Sequence, residues 1–295
     1  MTLSEPSPPT ILIRGAGDLA TGVALVLFRA GLKRLLLLER EQPLAVRRLV
    51  SFSEAVYLGR AEVEGVGGML IDSMAQAEAA WAGDEIPVLV DPNMDCLEGL
   101  KPQVVVDALL AKRYTGIHPG LAPLVIGLGP GFVAGKDVHC VVETHRGHGM
   151  GNLIFNGSAH PNTGIPGEVL GKTLERLLRA PEAGVFTACR SIGDYVQQDE
   201  VVGHVGSEPV RARTSGVVRG LLRSGLHVRT GLKLGDVDPR GETWRCRRVS
   251  DKAHAVGQGV LQAVDAVRGD IQFDLIDMQS PAEQSTTPIH LGRAG

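Results

Sequence analysis

The stretch "DVHCVVETHRGHGMG", from Asp137 to Gly151, gathers one Asp, one Glu, three His and one Arg into fifteen residues. Carboxylates and imidazoles ligate zinc or iron, and they also move protons as general acids and bases. In an extended strand, alternate side chains share a face. Asp137, His139, Val141, Glu143 and His145 then fall on one side, and Val138, Cys140 and Val142 on the other. His139 and Glu143 lead as acid–base candidates because both project from one face. Asp137, His145 and His148 stand behind them, with Arg146 and His148 in a glycine-flanked turn.

Strand geometry limits this site. Residues i and i+2 lie roughly 6.5–7 Å apart, so two neighbours can share a metal but four cannot. A metal centre would need ligands from elsewhere, such as His118 or His160. His139 and Glu143 stand about 13 Å apart, so a substrate lying along the strand links them better than direct contact. The competing reading is an antiparallel strand with a solvated polar face.

Two glycine-rich turns add anion chemistry. "GLGPG", Gly127 to Gly131, precedes the stretch, and Gly129 and Gly131 can present backbone N–H groups to an anion. "GAGDLA", Gly15 to Ala20, follows a short apolar strand and opens a helix, the context a dinucleotide fingerprint requires. Gly15 permits the sharp turn, Gly17 lets backbone approach a pyrophosphate, and Ala20 allows close helix–strand contact. Glu39, at the end of the next strand, sits where a ribose-binding carboxylate belongs. Asp18 would repel a phosphate there, or cap the helix instead. Arg40, Arg47 and Arg48 form either a solvated helix face or a contact to a second phosphate.

The elements that position these residues are legible in outline. Ile11–Arg14, a helix carrying Leu19, Val23, Val26, Leu27 and Ala30, and the strand Leu35–Leu38 make one β-α-β unit. "PLAVRRLVSFSEAVY" has Pro43 at a first helical position, "SMAQAEAAWAG" reads as a helix between strands, and "QVVVDALL" and "PLVIGLGPG" are further strands. This alternation predicts a mostly parallel sheet. "PGEVLGKTLERLL", from Pro166, reads as a helix, "WRCRRVS" as a strand, and Ser250 as the cap of "DKAHAVGQGVLQAVDAV".

An internal repeat separates these segments. At a constant offset of 32, Gly184, Val185, Gly193, Val196, Gly203 and Val205 meet Gly216, Val217, Gly225, Val228, Gly235 and Val237. Two equal β units predict a small barrel of interlocked halves, similar to the biotinyl/lipoyl-type hammerhead or barrel-sandwich hybrid. The expected organisation is a tail (1–9), a Rossmann-like α/β domain (10–182), the barrel (183–243), a strand and helix (244–276) and a second tail (277–295). The hairpin "GSEPVRA" between the halves holds no lysine, and Lys233 lies inside the second unit, so neither biotin nor lipoate is expected.

Composition narrows the classes. Charged residues at 21% and aromatics at 4%, with 38 Gly, fit an α/β protein and argue against an aromatic-rich nucleic-acid binder. No apolar run reaches the roughly 18 residues of a membrane span, and "MTLSEPSPPT" lacks a signal peptide's features, so a cytoplasmic protein is expected. Cys96, Cys140, Cys189 and Cys246 form no C-x-x-C. Arg211 to Arg248 holds ten Lys/Arg against three acids in a chain of net charge −3, a basic surface for an anionic cofactor or an acidic protein.

"IRGAGDLATGVALVLFRAG", "PLAVRRLVSFSEAVY", "GPGFVAGKDVHCVVETHRGHGMG", "NTGIPGE", "SGVVRGLLRSGLHVRTGLKLGDVDPRG" and "SDKAHAVGQGVL" resemble the YqeB family, the selenium-dependent molybdenum hydroxylase system protein. The resemblance runs from about Ile11 to Val267. Its Rossmann part is similar to XdhC-type maturation factors. It implies an accessory role, handling or inserting the molybdenum cofactor of an apo-hydroxylase, and it transfers no catalytic residue. The alternatives are an NAD(P)-dependent oxidoreductase using a dinucleotide, and a scaffold that only docks the hydroxylase.

Overall fold

A computed structural model describes residues 8–110 and 115–267. The tails expected at 1–9 and 277–295, and the end of the segment expected at 244–276, lie largely or wholly outside the described residues.

The first lobe is built on β1 (Ile11–Arg14), α1 (Asp18–Arg29), β2 (Leu35–Glu39), α2 (Ala55–Leu58), β3 (Arg60–Val63), β4 (Val66–Ile71), α3 (Met74–Ala82), β5 (Ile86–Val90), α4 (Leu97–Leu100), β6 (Val104–Asp107), β7 (Leu124–Leu128), β8 (Cys140–Val142) and β9 (Leu153–Ile154). These strands form one sheet in the order β3-β4-β5-β2-β1-β6-β7-β8-β9. Every pairing is parallel except those at the two edges, β3 with β4 and β8 with β9. The mostly parallel sheet is therefore as expected. Near-continuous apolar strands make sense because both faces are covered. Ile11, Ile13, Leu35 and Leu37 face one core, and Leu12, Leu36 and Leu38 face the other.

The second lobe holds β10 (Leu177–Arg179), β11 (Gly184–Ala188), β12 (Tyr195–Val196), β13 (Val201–Val205), β14 (Glu208–Arg211), β15 (Gly216–Leu221), β16 (His227–Val228) and β17 (Lys233–Asp238). They form two four-stranded sheets, β10-β17-β15-β12 and β14-β13-β11-β16, around a shared apolar core. The repeat appears as structure: β11, β12 and β13 match β15, β16 and β17. The halves interlock, since β12 pairs with β15 and β16 with β11. Gly193 and Gly225 occupy matched turns at φ +105° and +88°, which glycine adopts without steric cost.

After the second lobe the chain returns to the first. Helix α5 (Asp251–Val267) lies along α1 and covers β7 and β8, and Val256, Val260, Ala263 and Val264 enter the first lobe's core. The contact is close because glycines permit it: a Cβ on Gly22 would stand 2.5 Å from Ala253 Cβ, and one on Gly257 2.8 Å from Val26.

Three local expectations are corrected. "PGEVLGKTLERLL" is not a helix but extended chain with a 3-10 turn at Leu174–Arg176 leading into β10. Leu177 and Leu178 pair with β17 and are buried in the second lobe, so tertiary burial overrides helical periodicity. "WRCRRVS" is not a strand. Thr243–Arg247 forms a 3-10 turn, and the Arg245 and Arg248 carbonyls accept hydrogen bonds from Arg47. Within "PLAVRRLVSFSEAVY" the α-helix begins only at Ala55, because Val46 and Arg48 are committed to the second lobe, and Arg48 Nε donates to the Leu221 carbonyl at 2.8 Å. The Leu221 N–H donates to the Val46 carbonyl at 2.8 Å.

Candidate functional site

Between the lobes lies a cleft of about 1090 Å³. Its walls are the loops after β7 and β8, residues 160–169, the faces of β15 and β17, the 240–249 connection and the first turn of α5. Nine Lys/Arg line it against three acids, Glu168, Asp236 and Asp251. Five of the nine (Arg219, Lys233, Arg240, Arg245 and Arg248) come from the basic run seen in the sequence.

Most of these cations already have partners. Buried Asp236 holds Arg176 at 3.1 Å and also binds Arg219. Asp238, fully buried, accepts from Arg240 Nε at 2.9 Å. Arg47 pairs with Asp18, and Arg146 makes a two-pronged contact with Asp251 at 2.9 and 3.2 Å. Among the described residues, no ion pair or hydrogen bond engages the amines of Lys233 and Lys252. Burial and nearby Arg219 and Arg176 push the Lys233 amine down, against the pull of Asp236 and Asp18. Burial and Arg146 push down the Lys252 amine, against Glu143 and Asp18. A cation held this way gains most from an incoming anion. The N-terminus of α5 adds its positive end beside Lys252, and Ser250 Oγ caps it as expected, accepting the Ala253 N–H at 3.1 Å.

On the opposite wall, Glu143 Oε1 accepts the His145 N–H at 2.6 Å. Glu143 Oε2 accepts the His160 N–H at 2.9 Å and lies 2.7 Å from His160 Nδ1. The carboxylate is only 3% exposed. Burial alone would raise its pKa, but the hydrogen bonds from His160, His145 and Thr144 outweigh that and hold it below the usual range. The His145 and His160 rings stand 5.5 Å apart, and both line the cleft.

The predicted strand face is not intact. Only Cys140–Val142 is strand, and Val141, assigned to the polar side, is fully buried, because β8 has neighbours on both edges and cores on both faces. The His139 ring accepts the Val125 N–H through Nδ1 at 2.9 Å, and burial lowers its pKa. Asp137 Oδ2 accepts the Val133 N–H in a turn, and His148 is exposed outside the cleft. The site thus brings together Glu143 and His145 with His160, and leaves out His139, Asp137 and His148. Among the described residues no group of His, Cys, Asp and Glu has metal-holding geometry.

The glycine turns divide in the same way. Gly131 lines the cleft, whereas the Gly129 N–H is taken by the Val142 carbonyl. The Gly15 N–H donates to the Leu38 carbonyl and the Ala16 N–H to Glu39 Oε2 at 3.1 Å, so two of the fingerprint's amides are occupied. Burial raises the pKa of Glu39 despite these bonds. Ala20 is buried against the sheet as its role required. Asp18 makes no side-chain cap, and it pairs with Arg47 instead. Lys233, Lys252 and the pairing of His160 with Glu143 were not legible as site features. Each depends on segments far apart in the chain; the basic run hinted at the cleft, and His160 entered the sequence reading only as a candidate metal ligand.

Fold and site together define a two-lobed α/β protein whose inter-lobe cleft suits a polyanionic ligand. Over 266 residues the chain is 47% identical to the uncharacterized protein YqeB of Escherichia coli (strain K12), covering 89% of this chain and 49% of that protein, which supports the YqeB family for the matched region. The chain spans about half the length of that relative. No protein-family model matches the chain. An aspartoacylase family protein from Mesorhizobium loti superposes at a TM-score of 0.25 and 16% identity, covering 78% of this chain and 85% of that one. TcdA (CsdL) superposes at 0.29 and 11%, covering 88% of each. Superpositions at these scores define no shared fold. Among the described residues no helix is long and apolar enough to cross a membrane.

Proposed function

We propose that this is a cytoplasmic accessory factor that holds the phosphate-bearing molybdenum cofactor and passes it to a selenium-dependent molybdenum hydroxylase. The sheet order supports a Rossmann-like first lobe akin to XdhC-type factors, and the interlocked repeat supports a biotinyl/lipoyl-like second lobe without its lysine. The observation that carries the reading is the cationic cleft in which the amines of Lys233 and Lys252 have no partner among the described residues. A pterin phosphate or its nucleotide form supplies the charge those amines lack. The dinucleotide oxidoreductase reading has less support, because Glu39 is engaged by the Ala16 and Arg40 amides and the Gly15 amide by the Leu38 carbonyl.

Calorimetric titration of the full chain with pterin phosphates, with NAD and with NADP tests the reading. Tight binding of the pterin phosphates, weakened about tenfold or more in Lys233→Ala and Lys252→Ala, is expected for a lost charge-assisted contact. Binding of NAD or NADP alone favours the oxidoreductase. Capture of the apo-hydroxylase by protein that binds none of them favours the scaffold.

A further inference from the structure

The Glu143–His160 pair has the build of a proton-transfer site. The Glu143 carboxylate cannot swing away, since three donors from two loops fix both its oxygens. It is held ionised by its hydrogen bonds, and beside an acceptor-only carboxylate the neutral imidazole is the tautomer with its proton on Nδ1 and its lone pair on Nε2. The His160 side chain is 74% exposed and lines the cleft. His160 and Lys252 line the same cleft, and Arg146, in the loop that follows Glu143, bonds Asp251, the neighbour of Lys252, so the imidazole and the amine open onto shared space. His139 lacks this arrangement, because its Nδ1 is the acceptor of a backbone N–H inside the sheet.

We infer that the cleft is an active site in which His160 Nε2 exchanges a proton with the reacting group of a phosphate-bearing ligand, and that Glu143 is its positioning residue. This rests on the anion-binding reading above. The neutral imidazole takes the proton of an O–H or N–H on the ligand through Nε2, becoming imidazolium, and gives that proton back to the ligand, so that the ring ends the cycle as it began. Glu143 keeps the ring in one tautomer throughout and is not itself protonated. The Lys and Arg side chains hold the phosphate beside the imidazole, so that Nε2 faces both the phosphate and the reacting group attached to it.

The test uses the full chain labelled with 15N-histidine and inorganic pyrophosphate as the probe, with binding followed by calorimetry. His160→Asn, which retains the backbone N–H to Glu143, assigns the His160 signals. The expected spectrum shows Nδ1 protonated and Nε2 bare at alkaline pH, and Nε2 moves when pyrophosphate saturates the protein. In Glu143→Gln the single tautomer is lost, while pyrophosphate affinity stays within about threefold of the parent. A bare Nδ1, or a His160 signal unmoved at saturation, overturns the inference and leaves the anion-binding reading standing. Absence of pyrophosphate binding overturns that reading, and this inference with it.

Discussion

Arg47 Nη1 stands 3.3 Å from both carboxylate oxygens of Asp18, while Nη2 donates to the Arg245 and Arg248 carbonyls at 3.0 and 2.7 Å. One buried side chain thereby joins the start of α1 to the connection that leads into α5. Arg47→Ala should cost about 2–3 kcal/mol, since it strands two carbonyls and half of an ion pair whose other half keeps some solvent contact. Urea unfolding measures it. Arg47→Lys should recover only part, because an ammonium cannot span both sets of acceptors in one plane. A stability equal to the parent in Arg47→Ala would show that the lobes do not depend on this link.

Gly17 is the residue at which a fingerprint ligand would touch backbone. A Cβ there meets nothing within 4 Å, so Gly17→Ala is sterically free. Its cost should stay below about 1 kcal/mol. Because the amines of Lys233 and Lys252, unpaired among the described residues, line the cleft and not this turn, pyrophosphate affinity should not change. A large loss of affinity in a normally melting variant would return the binding site to the glycine turn.

Gly22 faces Ala253 across α1 and α5, and an added Cβ would come within 3.0 Å of Ala253 backbone. Gly22→Ala should destabilise by about 1–3 kcal/mol through overpacking, although alanine is the better helix former. A thermal melt that rises would mean the helices can separate at no cost.

Asp238 supplies the pH dependence. Burial raises its pKa, but Arg240 and Arg219 overcome this and hold the carboxyl at about 2, against an ordinary 3.8. A depressed carboxylate stabilises the fold above its unfolded pKa, and that stability disappears as pH falls through the folded value. Stability should therefore drop by about 2 kcal/mol between roughly pH 4 and pH 2 on account of this group. Asp238→Asn should start lower and lose less over the same range in acid melts. Parallel acid profiles would assign the acid sensitivity to other carboxylates.

The sequence carried the architecture further than the site. Short apolar strands spaced by helices, and a repeat at a fixed offset, are local patterns that survive folding, so the parallel sheet and the interlocked halves were both legible. Periodicity failed where burial came from another lobe: Leu177 and Leu178 look helical in isolation but pair with β17. The "DVHCVVETHRGHGMG" stretch marked the right neighbourhood, yet its alternation assumed one solvated face, and β8 has a core on each face. Glu143 finds its partner seventeen residues away, and Lys252 comes from beyond the second lobe. No spacing rule encodes contacts of that kind.

The return of α5 to the first lobe has a consequence for synthesis. Chains emerge from the ribosome N-terminus first, and domains usually fold in that order. Here the apolar side of α1 and the backs of β7 and β8 must wait for residues made after the entire second lobe. Until α5 arrives, the nascent first lobe presents Val26, Val142 and their neighbours uncovered. The second lobe, bounded at both ends by segments that belong to its partner, can close on its own core first. Of the two lobes, the one made first is then the last to be sealed.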